Sequence, residues 1–158
     1  MLLPGEEVAM TMVEALVAHP LRVLVVDDEA VLRRLVRSLL ERDGHRVQTA
    51  SSGDEALLLF ASARAIGEPF DVVVTDLTMP GTDGEGVANE VKRAAPSTAV
   101  ILLTGFGFGM SGQSFDRILG KPEGLRVLRA TVLELGRAAT SRSWDPAEGL
   151  DLPASRPA

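Results

Sequence analysis

The chain has 158 residues, enough for one compact domain that buries roughly 70% of its unfolded surface and too few for two ordinary ones. A formal charge of -6 and a pI near 4.9 argue against the basic surface that nucleic acid requires. The absence of cysteine excludes disulfides, thiolate zinc sites and cysteine nucleophiles, as suits a reducing compartment. Glu6 and Glu7 stand where a secretory leader carries positive charge, and no apolar run approaches the roughly 20 residues of a spanning helix, so the chain reads as cytoplasmic.

The first element in chain order is "LRVLVV" (21–26), a β-branched apolar run suited to a strand buried on both faces. It is followed by a helical pattern that places Val31, Leu32, Leu35, Val36, Leu39 and Leu40 at helical spacing and stops at Gly44. The alternation repeats with "HRVQTA" as strand, "SGDEALLLFASARAIG" as helix with Ser52 at its cap, and "FDVVVTD" as strand. "GEGVANEVKRAAP" follows as helix and "TAVILLT" as strand. After a glycine-rich segment come "FDRILGKP" as strand and a last helix with Leu125, Leu128, Val132 and Leu135 on one face. Five strands alternating with helices predict an α/β fold with a doubly wound parallel sheet. The loops after the strand C-termini then gather on one edge, where such folds bind ligands.

That edge collects Asp27 and Asp28 after the first strand, Asp76 after the third, Thr104 after the fourth and Lys121 at the end of the fifth. Carboxylates about 5 Å apart repel by roughly 3 kcal/mol per pair at an effective dielectric of 20, so the cluster calls for positive charge. A hard divalent cation with oxygen ligands fits, and Mg²⁺ is favoured because it takes one or two carboxylates, several waters and phosphate oxygens. Lys121 supplies a second fixed charge and Thr104 a hydroxyl donor. A carboxylate between metal and ammonium is equipped to attack phosphorus, which makes Asp76 a nucleophile that becomes an acyl phosphate. Singly, each aspartate reads as a helix cap or a solvated loop residue; the joint placement carries the reading.

The motifs "VLVVDDE", "DVVVTDLTMPGTDG", "LLTG" and "LGKP" resemble those of the receiver domain of two-component response regulators, over about residues 20–138. The resemblance implies a flavodoxin-like five-stranded sheet in the order 2-1-3-4-5. It also implies Asp76 as phosphoacceptor, Mg²⁺ held by Asp27, Asp28, Asp76 and the backbone carbonyl of Thr78, and a phosphoryl group held by Thr104 and Lys121. Met79-Pro80-Gly81 then forms the turn of the Thr78 loop.

Several positions depart from the family pattern. Thr104 and Lys121 are 17 positions apart, too close for a full helix between the fourth and fifth strands, so that helix is expected to be shortened, distorted or replaced by a loop. "LLTGFGF" resembles the Phe-Ala-Thr-Gly-X-Gly-Tyr run of a subgroup of atypical receivers, with Leu102, Leu103 and Phe108 departing from it. Ile118 occupies the position of the family's aromatic switch residue. Phe106 and Phe108 are then either mobile reporters or plugs of the core, and Gly105 leaves the phosphoryl pocket open. Thr78 and Phe106 flank the approach of water and are candidates for tuning the lifetime of the acyl phosphate. Gly107, Gly109 and Gly112 spell G-x-G-x-x-G, but no helix opens behind them to face a pyrophosphate, so nucleotide binding is not expected.

The expected organisation is an N-terminal extension (1–19), a receiver domain (20–138) and a disordered tail (139–158) rich in Pro, Ser and Ala. Residues 5–18 have helical character, either as a docking extension or as a partner-binding helix, and Trp144 is either incidental or an anchor. The function expected is that of a single-domain response regulator. It takes a phosphoryl group on Asp76 from a histidine kinase or phosphotransfer protein and signals to a downstream protein, with no nucleic acid or membrane partner. His19 and His45 do not read as donors. Two rivals stand beside it. One is a degenerate receiver that binds partners independently of phosphate. The other is an Asp-nucleophile phosphatase of the haloacid dehalogenase type, whose general acid would stand where this chain has Thr78.

Overall fold

The computed structural model describes residues 20–105 and 114–143. In chain order these form β1 (Arg22–Val26), α1 (Ala30–Arg42), β2 (Arg46–Ala50), α2 (Gly53–Ala65), β3 (Val72–Thr75), α3 (Gly84–Ala94), β4 (Ala99–Thr104), β5 (Arg117–Gly120) and α4 (Gly124–Ser143). The strands pair in parallel in the order β2-β1-β3-β4-β5, the flavodoxin-like arrangement expected.

The three central strands are continuous apolar runs because both of their faces are covered. On one face Val23, Val25, Val72, Val74, Ile101 and Leu103 pack under Val36 and Leu40 of α1 and Leu128 and Val132 of α4. On the other, Leu24, Val26, Val73 and Val100 meet Ala56 and Phe60 of α2 and Val87 and Val91 of α3. The edge strands β2 and β5 are only partly covered. β5 rejoins the sheet through Asp116. Its N–H donates to the Val100 carbonyl, its Oδ2 accepts the Val100 N–H at 2.7 Å, and Lys92 of α3 pairs with the same oxygen at 2.6 Å.

Ser52 caps α2 as expected, accepting the Glu55 N–H at 3.1 Å. The apolar positions of α1 are not all core: Leu32, Val36 and Leu40 face the sheet, whereas Val31 and Leu35, one residue further round the helix, are 74% and 45% exposed. The last helix, α4, runs past the expected boundary at 138, to Ser143. Ala139 is buried, and the Thr140 and Ser141 hydroxyls donate to the Arg137 carbonyl, the back-bonding open to these residues within a helix. The expected helix within 5–18, Trp144 and the glycine segment 106–113, with Phe106 and Phe108, lie outside the described residues.

At the opposite end of the sheet from the carboxylates, buried His45 accepts the Leu21 N–H on Nδ1 at 3.3 Å. Burial lowers its pKa from the ordinary histidine value, against the opposing pull of the Asp43 and Asp71 carboxylates. A histidine depressed in the folded state leaves the unfolded chain holding more protons. Its contribution is therefore complete above the unfolded value of about 6.5 and is lost as pH falls through the folded pKa. Urea midpoints should fall between about pH 7.5 and pH 5, and less so in His45→Phe, which cannot titrate. Equal pH slopes in the two proteins would contradict this assignment.

Candidate functional site

The last rungs of the sheet place the acidic residues. Beyond β1, the Asp27 N–H donates to the Ala50 carbonyl at 3.2 Å; beyond β3, the Asp76 N–H donates to the Val26 carbonyl at 3.0 Å; beyond β5, the Lys121 N–H donates to the Thr104 carbonyl at 2.8 Å. Each of these residues is thus held by a neighbouring strand, and the three meet where the strand order reverses between β1 and β3.

Among the described residues, Asp27, Asp28 and Asp76 offer carboxylate oxygens that all lie within 4.8 Å of one another. Asp27 is buried, Asp76 half-buried and Asp28 exposed, so the cluster grades from the core to solvent. Lys121 Nζ reaches between two of them, 3.2 Å from Asp27 Oδ2 and 3.8 Å from Asp76 Oδ2. Lys121 is therefore hydrogen-bonded to Asp27 and paired electrostatically with Asp76.

Burial raises the Asp76 pKa from the ordinary carboxylate value. The Leu77 N–H and the Lys121 charge oppose this, while Asp27 and Asp28 add to it. An ionised Asp76 is thus under-compensated by the protein alone. A pocket of oxygen donors with more carboxylates than nearby ammonium groups is the donor chemistry of a hard divalent cation, and Asp27, Asp28 and Asp76 fit Mg²⁺ on that ground.

Thr104 is buried at the end of β4, and Gly105 beside it has open space where a Cβ would stand. Thr78 is exposed on the loop after Asp76, and Ile118 is half-buried on β5 in register with Leu102. Sequence reasoning missed three supports. The Glu29 N–H donates to Asp27 Oδ1 at 2.8 Å and orients it, and Arg33 Nη1 donates to the Asp27 carbonyl at 2.7 Å. Gly84 is the third: a Cβ there would fall 2.1 Å from the Asp76 carbonyl oxygen, so α3 starts directly against the Asp76 backbone. An arginine in the first turn of the helix after the acidic pair and a glycine at the first residue of a helix were the available signals.

Residues 23–132 match the family model of the response regulator receiver domain. The transcriptional regulatory protein ResD of Bacillus subtilis is 38% identical over 99 residues, which are 63% of this chain and 37% of ResD. The chain spans little more than a third of the length of the first curated relatives it matches. Among solved structures, response regulator protein TrrA of Thermotoga maritima in complex with Mg²⁺-BeF is 32% identical with a TM-score of 0.63, over 72% of this chain and 97% of that one. TrrA in complex with the histidine kinase ThkA is 34% identical with a TM-score of 0.63, over the same shares. Among the described residues no helix is long and apolar enough to cross a membrane.

Proposed function

The chain belongs to the response regulator receiver domain family, and we propose from that premise that Asp76 accepts a phosphoryl group from the phosphohistidine of a histidine kinase or phosphotransfer protein. The observation that carries the proposal is Lys121 Nζ, 3.8 Å from Asp76 Oδ2 and 3.2 Å from Asp27 Oδ2, facing three carboxylates.

Asp76 Oδ2 attacks phosphorus, the P–N bond breaks, and the donor imidazole leaves with the bond's electron pair and is protonated from solvent. Lys121 offsets charge on the phosphoryl oxygens, and Thr104, whose carbonyl accepts the Lys121 N–H, contributes a hydroxyl donor from the end of β4. The Asp76 Oδ1 atom is held by the Leu77 N–H at 2.8 Å, which orients the carboxyl group for attack. Asp27, Asp28, Asp76 and the Thr78 carbonyl would hold Mg²⁺, which would neutralise charge on the transferred group. Output then passes through protein contacts, while the contact with the donor has a counterpart in TrrA, a similar chain seen in complex with the histidine kinase ThkA.

The test is incubation with Mg²⁺ and acetyl phosphate followed by intact-mass measurement. One stoichiometric phosphoryl addition that disappears in Asp76→Asn is expected, and addition that persists in the variant would defeat the assignment. Steady turnover of phosphate esters would favour a phosphatase instead. Partner binding unchanged by Asp76→Asn would favour a phosphate-independent interaction module.

A further inference from the structure

We infer that Asp54 and Thr82 are positioning residues for the cation site, because their hydrogen bond pins to α2 the loop that carries Thr78. The inference rests on the assignment of the Thr78 carbonyl proposed above.

The loop from 77 to 83 is held at both ends. At its start the Leu77 N–H donates to Asp76 Oδ1 and the Leu77 carbonyl accepts the Gly84 N–H, each at 2.8 Å. At its finish Asp83 caps α3 by accepting the Gly86 N–H at 2.8 Å. Met79 is buried in the core under α2 and α3, and Gly81 turns the chain with φ +75°. The remaining tie comes from another element. Thr82 Oγ1 donates to Oδ1 of Asp54, in the first turn of α2, at 2.5 Å.

The surrounding backbone is shaped for this contact. A Cβ on Gly53 would fall 2.1 Å from the Thr82 carbonyl oxygen, one on Gly81 would fall 2.7 Å from Asp54 Oδ2, and one on Gly86 would fall 2.8 Å from Thr82 Cγ2. Thr82 is thus enclosed from α2 on one side and α3 on the other, and a side chain at Gly53 would push the loop off α2. α2 is itself a firm reference: Ser52 caps it, Glu55 accepts the Ser51 N–H at 2.9 Å, and Ala56 and Phe60 are buried.

Mg²⁺ demands near-ideal octahedral geometry, so a carbonyl ligand on a slack loop must be ordered when the ion binds, at a cost in affinity. Groups that orient metal ligands are typically worth about 10–100-fold in affinity, and an exposed tie four residues from the ligand falls near the lower end. Removing the tie should therefore weaken Mg²⁺ binding by about tenfold.

The test is calorimetric titration of the whole chain with Mg²⁺, with thermal melts to confirm folding. Asp54→Ala and Thr82→Val should each weaken binding by that amount, and the double variant should be no worse than either single one. Asp54→Asn keeps the acceptor oxygen and should bind within about twofold of wild type, which separates the hydrogen bond from the through-space effect of removing a negative charge. Wild-type-like affinity in Asp54→Ala and Thr82→Val would overturn the inference while leaving the site intact. Equal losses in Asp54→Asn and Asp54→Ala would overturn it in favour of charge alone. A wild-type protein that does not bind Mg²⁺ would remove the reading of the site and this inference with it.

Discussion

Asp76→Asn should abolish phosphoryl incorporation and, without divalent cation, make the protein more stable than wild type. The first effect follows from chemistry: an amide is a poor nucleophile toward phosphorus, and an acyl phosphate needs the carboxylate oxygen. The second follows from electrostatics. Burial, Asp27 and Asp28 raise the Asp76 pKa against the pull of the Leu77 N–H and Lys121, so the folded state binds the Asp76 proton more tightly than the unfolded chain does. Keeping the residue ionised at neutral pH therefore costs stability; the cost is absent below the unfolded carboxylate value and grows as pH rises through the folded one. Replacing a single unfavourable charge of this kind commonly gains about 1 kcal/mol, a few degrees in Tm. The wild-type and variant melting curves should draw together as pH falls toward 4, roughly the unfolded carboxylate value.

Mg²⁺ should reverse the order. At about ten times its dissociation constant a ligand stabilises the folded state by roughly 1.4 kcal/mol, and the variant, having lost a charged ligand, gains less. Thermal melts with and without Mg²⁺ check both signs. A variant less stable than wild type in the absence of cation would show that the Lys121 and Leu77 contacts outweigh burial at Asp76.

The alternation of elements is legible in the sequence because β1, β3 and β4 are covered on both faces, which leaves unbroken runs such as "VVVT" and "AVILLT". The site is legible for a related reason: a parallel sheet sends every strand's C-terminus to one edge, so Asp27, Asp76 and Lys121 must converge once the strands are placed. What escaped reading depends on contacts between elements. Val31 and Leu35 fit a helical repeat as well as Val36 and Leu40 do, and only the coverage offered by the sheet and α4 separates exposed from buried. Whether Lys121 bonds Asp27 or Asp76 is decided by under an ångström. The Asp54–Thr82 contact joins two turns 28 residues apart and has no periodic signature. The glycines at 53, 81 and 86 were visible as loop and helix-end residues, but the close approach that requires them was not.

Lys121→Met should lower stability by about 3 kcal/mol and nearly eliminate phosphorylation, while tightening rather than weakening Mg²⁺ binding. Asp27 is 5% exposed, and its Oδ2 has Lys121 Nζ at 3.2 Å; methionine fills much the same volume but leaves that carboxylate without its cation. Breaking a fully buried pair costs about 3–5 kcal/mol, and the lower figure applies here because the Lys121 side chain keeps 18% of its surface in solvent. The same change removes the charge that holds the Asp76 pKa down, so burial and the two aspartates push it further up. The Mg²⁺ effect has the opposite sign because an ammonium beside a divalent ion repels it, and deleting that repulsion leaves a more negative pocket. Phosphorylation still falls, since the transferred group loses the fixed positive charge that Lys121 holds 3.8 Å from Asp76 Oδ2. Urea denaturation in EDTA, Mg²⁺ titration and acetyl phosphate labelling read the three effects separately. Tighter Mg²⁺ binding together with undiminished labelling would show that Lys121 serves the resting charge balance of Asp27 and takes no part in phosphoryl transfer.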